Sequence, residues 1–395
     1  MISKTKIIIV APWFGEFAGG AEVLSKNLAL ELSNRGIETM IFTTCCKSPY
    51  SSWYNNDYEE GEYDIYGIKS FRFSVNNTQK EYEEALDTSI HYKDKMTYKH
   101  QENFFIAGIN SDRLVKALKS YIEDGYEVIA MPYYQGLTHS VVNAYPNKVS
   151  ITPCFHDEEA FYYKPIKTLL KNAKHIFYNT QEEKELTIKH YAKTVGKKVV
   201  ESTIAGVSVE LAIHHKEEET QITNIPQEYF IYMGRKEEGK NVHLLVKWFQ
   251  QYKDENPSNT KLVFMGGGDK SLIPKNDHFI DYGYVSQTDK KKLLKNSIAL
   301  INLSQNESFS IVIMEAWLSN IPTIVHGKCD VTKGHAIRSN GGLFPSNVLE
   351  FIGSLNYLKS HKPQAKAMAI NGLDYVEKNY THDTVLTKYL TTLES

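Results

Sequence analysis

The sequence predicts an α/β protein made of two doubly wound domains. Short apolar, β-branched runs alternate with segments of helical periodicity along nearly the whole chain, the pattern of parallel strands covered on both faces by helices. The alternation runs twice, and a polar stretch around 210–226 separates the two blocks as a candidate linker. A chain of 395 residues, 42% of them hydrophobic, is long and apolar enough for two cores.

Each element has a local reason. Lys6-Ile7-Ile8-Ile9-Val10 reads as a buried strand. A loop with Pro12, Gly15, Gly19 and Gly20 follows, then a helix over 21–34 with Leu24, Leu28 and Leu32 on one face and Gly36 as its stop. Strands are expected at 38–43, 127–130, 149–151 and 175–178, with a strand or hairpin at 64–73. Ser111 is placed to cap a helix that ends before Gly125. The stretch 48–101 is polar, Tyr-rich and weakly periodic, and predicts no particular element. In the second block, strands are expected at 229–233, 261–265, 298–303 and 322–325. Helices are expected at 242–252, up to 319, and over about 346–359, 363–378 and 382–393. The domains are therefore expected at 1–208 and 209–378, followed by a C-terminal helical segment, 379–395.

Composition narrows the function classes. Forty-five basic against forty-seven acidic side chains give a net charge of −2, which argues against a nucleic-acid partner needing a basic surface. No apolar run reaches the length of a membrane-spanning helix, and the N-terminus lacks a signal-peptide core. Cysteines 45, 46, 154 and 329 form neither a disulfide framework nor a Cys-x-x-Cys pair. The expectation is a cytoplasmic protein with reduced thiols.

In doubly wound sheets ligands bind at the carboxyl ends of strands, so four loops carry the candidate chemistry. Phe14-Gly15-Glu16-Phe17-Ala18-Gly19-Gly20 lies between a strand and a helix. Its glycines would let backbone amides approach a phosphate, or simply form a tight turn. Neither the dinucleotide Gly-x-Gly-x-x-Gly spacing nor a Walker A sequence is present. Gly234-Arg235-Lys236-Glu237-Glu238-Gly239-Lys240-Asn241 offers the fork of Arg235 and the point charge of Lys240 to a diphosphate, or else is a solvated loop of mixed charge. In Ser304-Gln305-Asn306-Glu307-Ser308-Phe309-Ser310-Ile311, Ser308 or Ser310 would cap a helix that carries Glu315. Glu307 and Glu315 would then meet hydroxyl-rich groups, or remain an ordinary loop residue and a paired helix residue. Pro153-Cys154-Phe155-His156-Asp157-Glu158-Glu159 places a histidine that could donate to a substrate oxygen, with Asp157 to orient it, or that is simply structural or solvated. No metal-ligating or serine-nucleophile motif appears.

Taken together, and in this order, these loops resemble the retaining glycosyltransferases of family GT4, with the GT-B fold: two doubly wound Rossmann-like domains facing a central cleft. The resemblance spans nearly the whole chain, is strongest from about 229 to 345 and poorest from about 48 to 125, and implies an acceptor-side N-terminal domain, a nucleotide-sugar-binding C-terminal domain and a last helix, in 379–395, that crosses back to the N-terminal domain. It implies that Arg235 and Lys240 bind the donor diphosphate, that Glu315 holds the ribose hydroxyls and that Glu307 lies beside the donor sugar. It further implies that backbone amides from Ser308, Phe309, Ser310 and Ile311 meet sugar and phosphate, and that Tyr284 and Val285 line the base. Gly19 and Gly20 would approach the phosphate, and His156 the transferred sugar. The catalytic set is thus Glu307, His156, Arg235 and Lys240. Ser310 stands where the family usually has glycine.

The implied reaction is metal-independent transfer of a hexose, with retention, from a nucleoside-diphosphate sugar. No bound cofactor is required; the nucleotide sugar is the donor substrate. Similarity over 327–342 to bacterial enzymes of surface polysaccharide inclines the donor to GDP-mannose and the acceptor to a glycan or lipid-linked saccharide. Lysines 164, 167, 171 and 174, near Phe161, Tyr162 and Tyr163, would form a basic face for peripheral membrane contact, or a solvated one. The competing readings are a non-catalytic sugar-nucleotide-binding scaffold and another GT-B enzyme, such as a nucleotide-sugar epimerase.

Overall fold

The structure is a computed structural model that describes residues 5–15, 19–92, 95–209 and 222–395. Residues 16–18 of the first glycine loop, and 210–221 of the candidate linker, lie outside the described residues. The chain divides into two compact units, Met1–Ser208 with His382–Ser395, and Val209–Thr381.

The first unit contains β1 (Lys6–Val10), α1 (Gly20–Asn34), β2 (Thr39–Thr44), β3 (Gly61–Ile65), β4 (Ile68–Phe73), α2 (Gln79–His91), α3 (Tyr98–Ile106), α4 (Asp112–Glu123), β5 (Tyr126–Ala130), α5 (Gly136–Ala144) and β6 (Val149–Ile151). It continues through α6 (Lys164–Asn172), β7 (Phe177–Tyr178), α7 (Gln181–Val195), α8 (Lys198–Glu201) and β8 (Thr203–Ile204). The second contains β9 (Tyr229–Met233), α9 (Val242–Glu255), β10 (Lys261–Met265), β11 (Phe279–Asp281), α10 (Gln287–Asn296), β12 (Leu300–Asn302), α11 (Ile311–Leu318) and β13 (Thr323–Val325). There follow α12 (Asp330–Ser339), β14 (Gly342–Leu343), α13 (Val348–Ser360) and α14 (Lys362–Asn379), while α15 (His382–Leu393) belongs to the first unit.

Both main sheets are doubly wound. The first has the order β3-β4-β2-β1-β5-β6, parallel except for the β3–β4 hairpin at its edge. The second is parallel throughout, in the order β11-β10-β9-β12-β13-β14. Each reverses direction of winding beside its first strand, between β1 and β5 and between β9 and β12. That switch point is where such a sheet leaves a crevice at its carboxyl edge. Ile7, Ile8, Ile9 and Val10 are fully buried because helices cover both faces of β1. Leu24, Leu28 and Leu32 are on the buried face of α1. Tyr389 anchors α15 in this unit: its ring lies 4.3 Å from Phe177, and its hydroxyl 3.0 Å from that of Thr152.

The stretch 48–101 is not structureless. It contains β3, β4 and α2, and α3 begins at Tyr98. The helix α2 buries no residue and is held at its start by a capping box between Thr78 and Glu81. A helix lying on the surface needs no apolar stripe, which is why its periodicity is weak.

Two buried histidines tie stability to pH. In the first unit His139 stacks on Phe105 at 4.2 Å, and burial pushes it down to about 4. In the second, burial pushes His335 of α12 down to about 3. Both start from an ordinary value of 6.5. At these two sites the unfolded chain therefore binds more protons than the folded one between pH 6.5 and these values, and their contribution to stability falls as pH falls through that window; the buried Glu183 carboxyl, pushed up to about 8 by burial, works the other way between pH 8 and 4.5 and offsets one of the two. Thermal unfolding is expected at progressively lower temperature below pH 6.5, by up to about 1.4 kcal/mol per pH unit. A melting curve unchanged between pH 7 and pH 4.5 would contradict it.

Candidate active site

The loops at the switch point of the second sheet collect most of the candidate residues. After β9 the chain passes Gly234, at φ 145°, into Arg235 and Lys236. Three consecutive glycines end β10, and each has its own reason. A side chain on Gly266 would strike the Gly234 carbonyl, and one on Gly268 would strike the Lys236 backbone. One on Gly267 would strike the ring of Tyr284. The glycine triplet thus lets the loops after β9, β10 and β11 lie in contact, which the sequence showed only as three glycines.

Arg235 leaves this packed layer with its side chain 44% exposed and its guanidinium 3.2 Å from Glu237. Below it the Tyr232 hydroxyl donates to the Arg235 carbonyl at 2.5 Å, and burial raises that phenol so that it stays protonated. Lys240 donates to Glu307 at 2.9 Å, joining the loops after β9 and β12. Asn241, at φ 54°, reinforces the join by donating to the Leu303 carbonyl at 2.9 Å. Glu315 sits in α11, 2.5 Å from the ammonium of Lys290 in α10. The sequence had singled out neither Lys290 nor Tyr232. A lysine in a polar helix and a tyrosine in a strand carry no spacing signal.

Ser310 does stand at the start of α11, but its hydroxyl is not a cap. The residue is left-handed, at φ 72°, and its side chain makes no hydrogen bond to the helix amides. The hydroxyl accepts from Asn302 at 3.0 Å instead. A helix-capping side chain requires extended backbone at that position, and the left-handed turn denies it. The same turn gives a physical reason for glycine at this position. Phe309 is buried, packed edge-on to His335 and Tyr380, so only its backbone is available to a ligand. Ser308 and Ile311 are half-buried. Tyr284 is 76% exposed and Val285 half-buried beside it.

His156 and the glycines of the first loop belong to the other unit. His156 follows β6 in a loop bent by Cys154 at φ 60°. Its partner is Glu158, with Nδ1 to carboxylate oxygen 3.3 Å, and Tyr133 donates to the same oxygen at 2.6 Å. These two contacts overcome burial and hold the Glu158 carboxyl below its ordinary value. Asp157, expected to orient the histidine, accepts from Tyr162 instead. The loop is pinned from beneath by Glu183, which accepts from the amides of Phe155 at 2.7 Å and Asn179 at 2.6 Å.

Gly19 precedes α1 in extended conformation, and the Glu22 carboxylate lies against it. Gly20 has nothing within 4 Å of where a side chain would start. Fold alone does not require glycine there. Gly20→Ala is expected to leave thermal stability unchanged or slightly raised, by up to about 1 kcal/mol. If a ligand approaches that backbone, turnover falls in the same protein. Full turnover in the variant would remove Gly20 from the site.

The basic face is narrower than its sequence spacing implies. Lys164, Lys167 and Lys171 lie on α6, but Lys174 follows the helix and pairs with both oxygens of Glu127 at 2.7 Å. Phe161 and Tyr163 are buried, leaving Tyr162 as the exposed aromatic. No helix among the described residues is long and apolar enough to cross a membrane. No group of three or more His, Cys, Asp or Glu side chains among them is arranged to hold a metal ion.

Residues 215–374 match the family model of glycosyl transferases group 1. No curated protein matches the chain. Solved structures similar over the whole length include the E. coli trehalose-6-phosphate structure bound with UDP-2-fluoro glucose, at TM-score 0.71, 11% identity and 99% of each chain. A mutant of S. aureus TarM in complex with fondaparinux, α-GlcNAc-glycerol and UDP aligns at TM-score 0.68 and 13% identity, over 99% of this chain and 100% of that one. Anabaena HepE in complex with UDP and glucose aligns at TM-score 0.65 and 13% identity, with the same coverage. These likenesses establish the two-domain GT-B fold.

Proposed function

We propose that the protein is a glycosyltransferase that moves a hexose from a nucleoside-diphosphate sugar to a saccharide acceptor, with retention of configuration. The observation that carries this reading is the Lys240–Glu307 pair, formed between the loops on either side of the switch point, with Arg235 on the same β9 loop. The family match over 215–374 supports it, since those residues include all of these.

The chemistry follows from where charge develops. As the bond from the anomeric carbon to the diphosphate breaks, negative charge grows on the leaving oxygen. Arg235 and Lys240 stabilise that charge with fixed cations. The start of α11 adds backbone amides and a favourable dipole. Glu307 orients Lys240 before the donor arrives and accepts from sugar hydroxyls once it is bound. Glu315, held by Lys290, accepts from the ribose hydroxyls, and Tyr284 with Val285 faces the base. The acceptor hydroxyl oxygen bonds to the anomeric carbon on the face the diphosphate leaves, and the leaving phosphate takes that hydroxyl's proton, so the step calls on neither a metal nor a covalent nucleophile from the chain. His156, with Glu158 fixing its ring, donates to the transferred sugar.

The sequence over 327–342 inclines the donor to GDP-mannose and the pathway to bacterial surface polysaccharide, with a glycan or lipid-linked saccharide as acceptor. The structurally similar TarM and HepE were solved with UDP, so uridine and guanosine donors enter the same test. Lys164, Lys167, Lys171 and Tyr162 form the face at which a membrane-borne acceptor would arrive.

The test is thermal stability with UDP, GDP, ADP and dTDP. A nucleotide at 100 times its dissociation constant adds about 2.7 kcal/mol to the folded state. One of the four is expected to stabilise the protein. No stabilisation by any of them at millimolar concentration would remove the donor site.

A further inference from the structure

The side chain of Lys236 is fully buried, one residue after the arginine of the proposed diphosphate site. Its ammonium donates to Asp281 at 2.9 Å and to the Gly266 carbonyl. The same Asp281 oxygen accepts from the Gly283 amide at 2.9 Å, immediately before Tyr284. Backbone bonds run alongside: Lys236 donates to the Gly267 carbonyl at 2.8 Å, Asp269 to the Lys236 carbonyl at 2.8 Å, and Gly266 to the Gly283 carbonyl at 2.7 Å. One ammonium therefore ties together the loops after β9, β10 and β11.

Lys236 also forms a lone β-bridge with Gly268. In such extended backbone successive side chains point to opposite sides. Burying Lys236 turns Arg235 outward, as its 44% exposure records. Burying an ammonium is costly, and a well-packed apolar residue of similar volume is often as stable or more so. Packing alone gives no reason to keep the charge. What the pair adds is a fixed spacing between Arg235, which faces the diphosphate, and Tyr284, which faces the base.

We propose that the buried Lys236–Asp281 pair is a positioning device that holds these two arms at the separation of one nucleoside diphosphate. The inference rests on the reading of the site as a nucleotide-sugar site. When the two arms are correctly spaced, the second contact is intramolecular and the linked ligand gains far more than its halves. The pair thus acts on the linked molecule and leaves each half alone.

The experiment measures dissociation constants for UDP and GDP, for inorganic pyrophosphate, and for uridine and guanosine. Four full-length proteins are compared: wild type, Asp281→Glu, Lys236→Met, and the double variant Lys236→Met with Asp281→Leu. The double variant replaces the pair by apolar groups, and Asp281→Glu keeps both charges while shifting the carboxylate by one methylene. The double variant is expected to unfold near the wild-type temperature, and Lys236→Met, with Asp281 left unpaired, well below it. In the double variant and in Asp281→Glu, pyrophosphate and nucleoside affinities stay within about threefold of wild type, while the affinity for the intact diphosphate drops about tenfold or more. An intact-diphosphate affinity within threefold of wild type in both would make the pair merely structural. A parallel loss for all ligands would also overturn the proposal, because each arm would then be damaged by itself. Failure of wild type to bind UDP or GDP would overturn the nucleotide-site reading, and this inference with it.

Discussion

Arg235→Ala is expected to lower kcat/KM by about 10²- to 10³-fold, the typical cost of removing one preorganised donor from a developing negative charge. Stabilisation by the cognate nucleoside diphosphate should be lost in the same variant. Folding should be nearly untouched, with stability within about 0.5 kcal/mol of wild type, because the side chain is 44% exposed and its charge partner Glu237 lies in the same loop. Arg235→Lys keeps the charge and gives up the planar fork, so it should recover only part of the loss. Steady-state kinetics and melting curves on the three proteins check both halves. Unchanged kinetics in a folded Arg235→Ala protein would remove Arg235 from the mechanism.

Lys240 and Glu307 should behave as one unit. Their contact at 2.9 Å is largely shielded from water, with side-chain exposures of 28% and 12%. Lys240→Met leaves a carboxylate facing the bound phosphate without its cation, so repulsion adds to the lost stabilisation. A fall in kcat/KM of about 10²-fold or more is expected for it, and a comparable one for Glu307→Gln. The double variant should be little worse than either single one. The coupling energy measured around the cycle should lie between about 0.5 and 3 kcal/mol. Additive losses would mean that the two groups act separately, and that the pair has no catalytic meaning.

Strong local patterns made much of this fold legible. Lys6-Ile7-Ile8-Ile9-Val10, apolar and β-branched, suited a buried strand, and it is one. Leu24, Leu28 and Leu32 fall on the buried face of α1. Ser111 caps α4, accepting from the Leu114 amide at 3.3 Å. The pattern failed at α2, where no residue is fully buried and the start is marked by the capping box of Thr78 and Glu81.

Within the site, positions were easier to read than partners. The loops could be placed because glycine and charge cluster at strand ends. Partners are tertiary facts. Nothing in the spacing announces that Glu158 and not Asp157 meets His156, that Lys290 holds Glu315, or that Lys236 is buried while its neighbour Arg235 is exposed. Ser310 is the instructive case. Serine at a helix start suggests a cap, and only its φ of 72° reveals that the backbone forbids one.

The most direct test of the central claim is donor turnover. Wild-type protein would be incubated with UDP-, GDP-, ADP- and dTDP-hexoses and a saccharide acceptor, the acceptor offered free and on anionic or neutral vesicles. Released nucleotide would be quantified, and the anomeric configuration of the product read by proton NMR. Release is expected from one class of donor, with a product of the donor's configuration, and both are expected to be lost in Arg235→Ala. A nucleotide sugar that binds but is never consumed, or a product of inverted configuration, would contradict the claim.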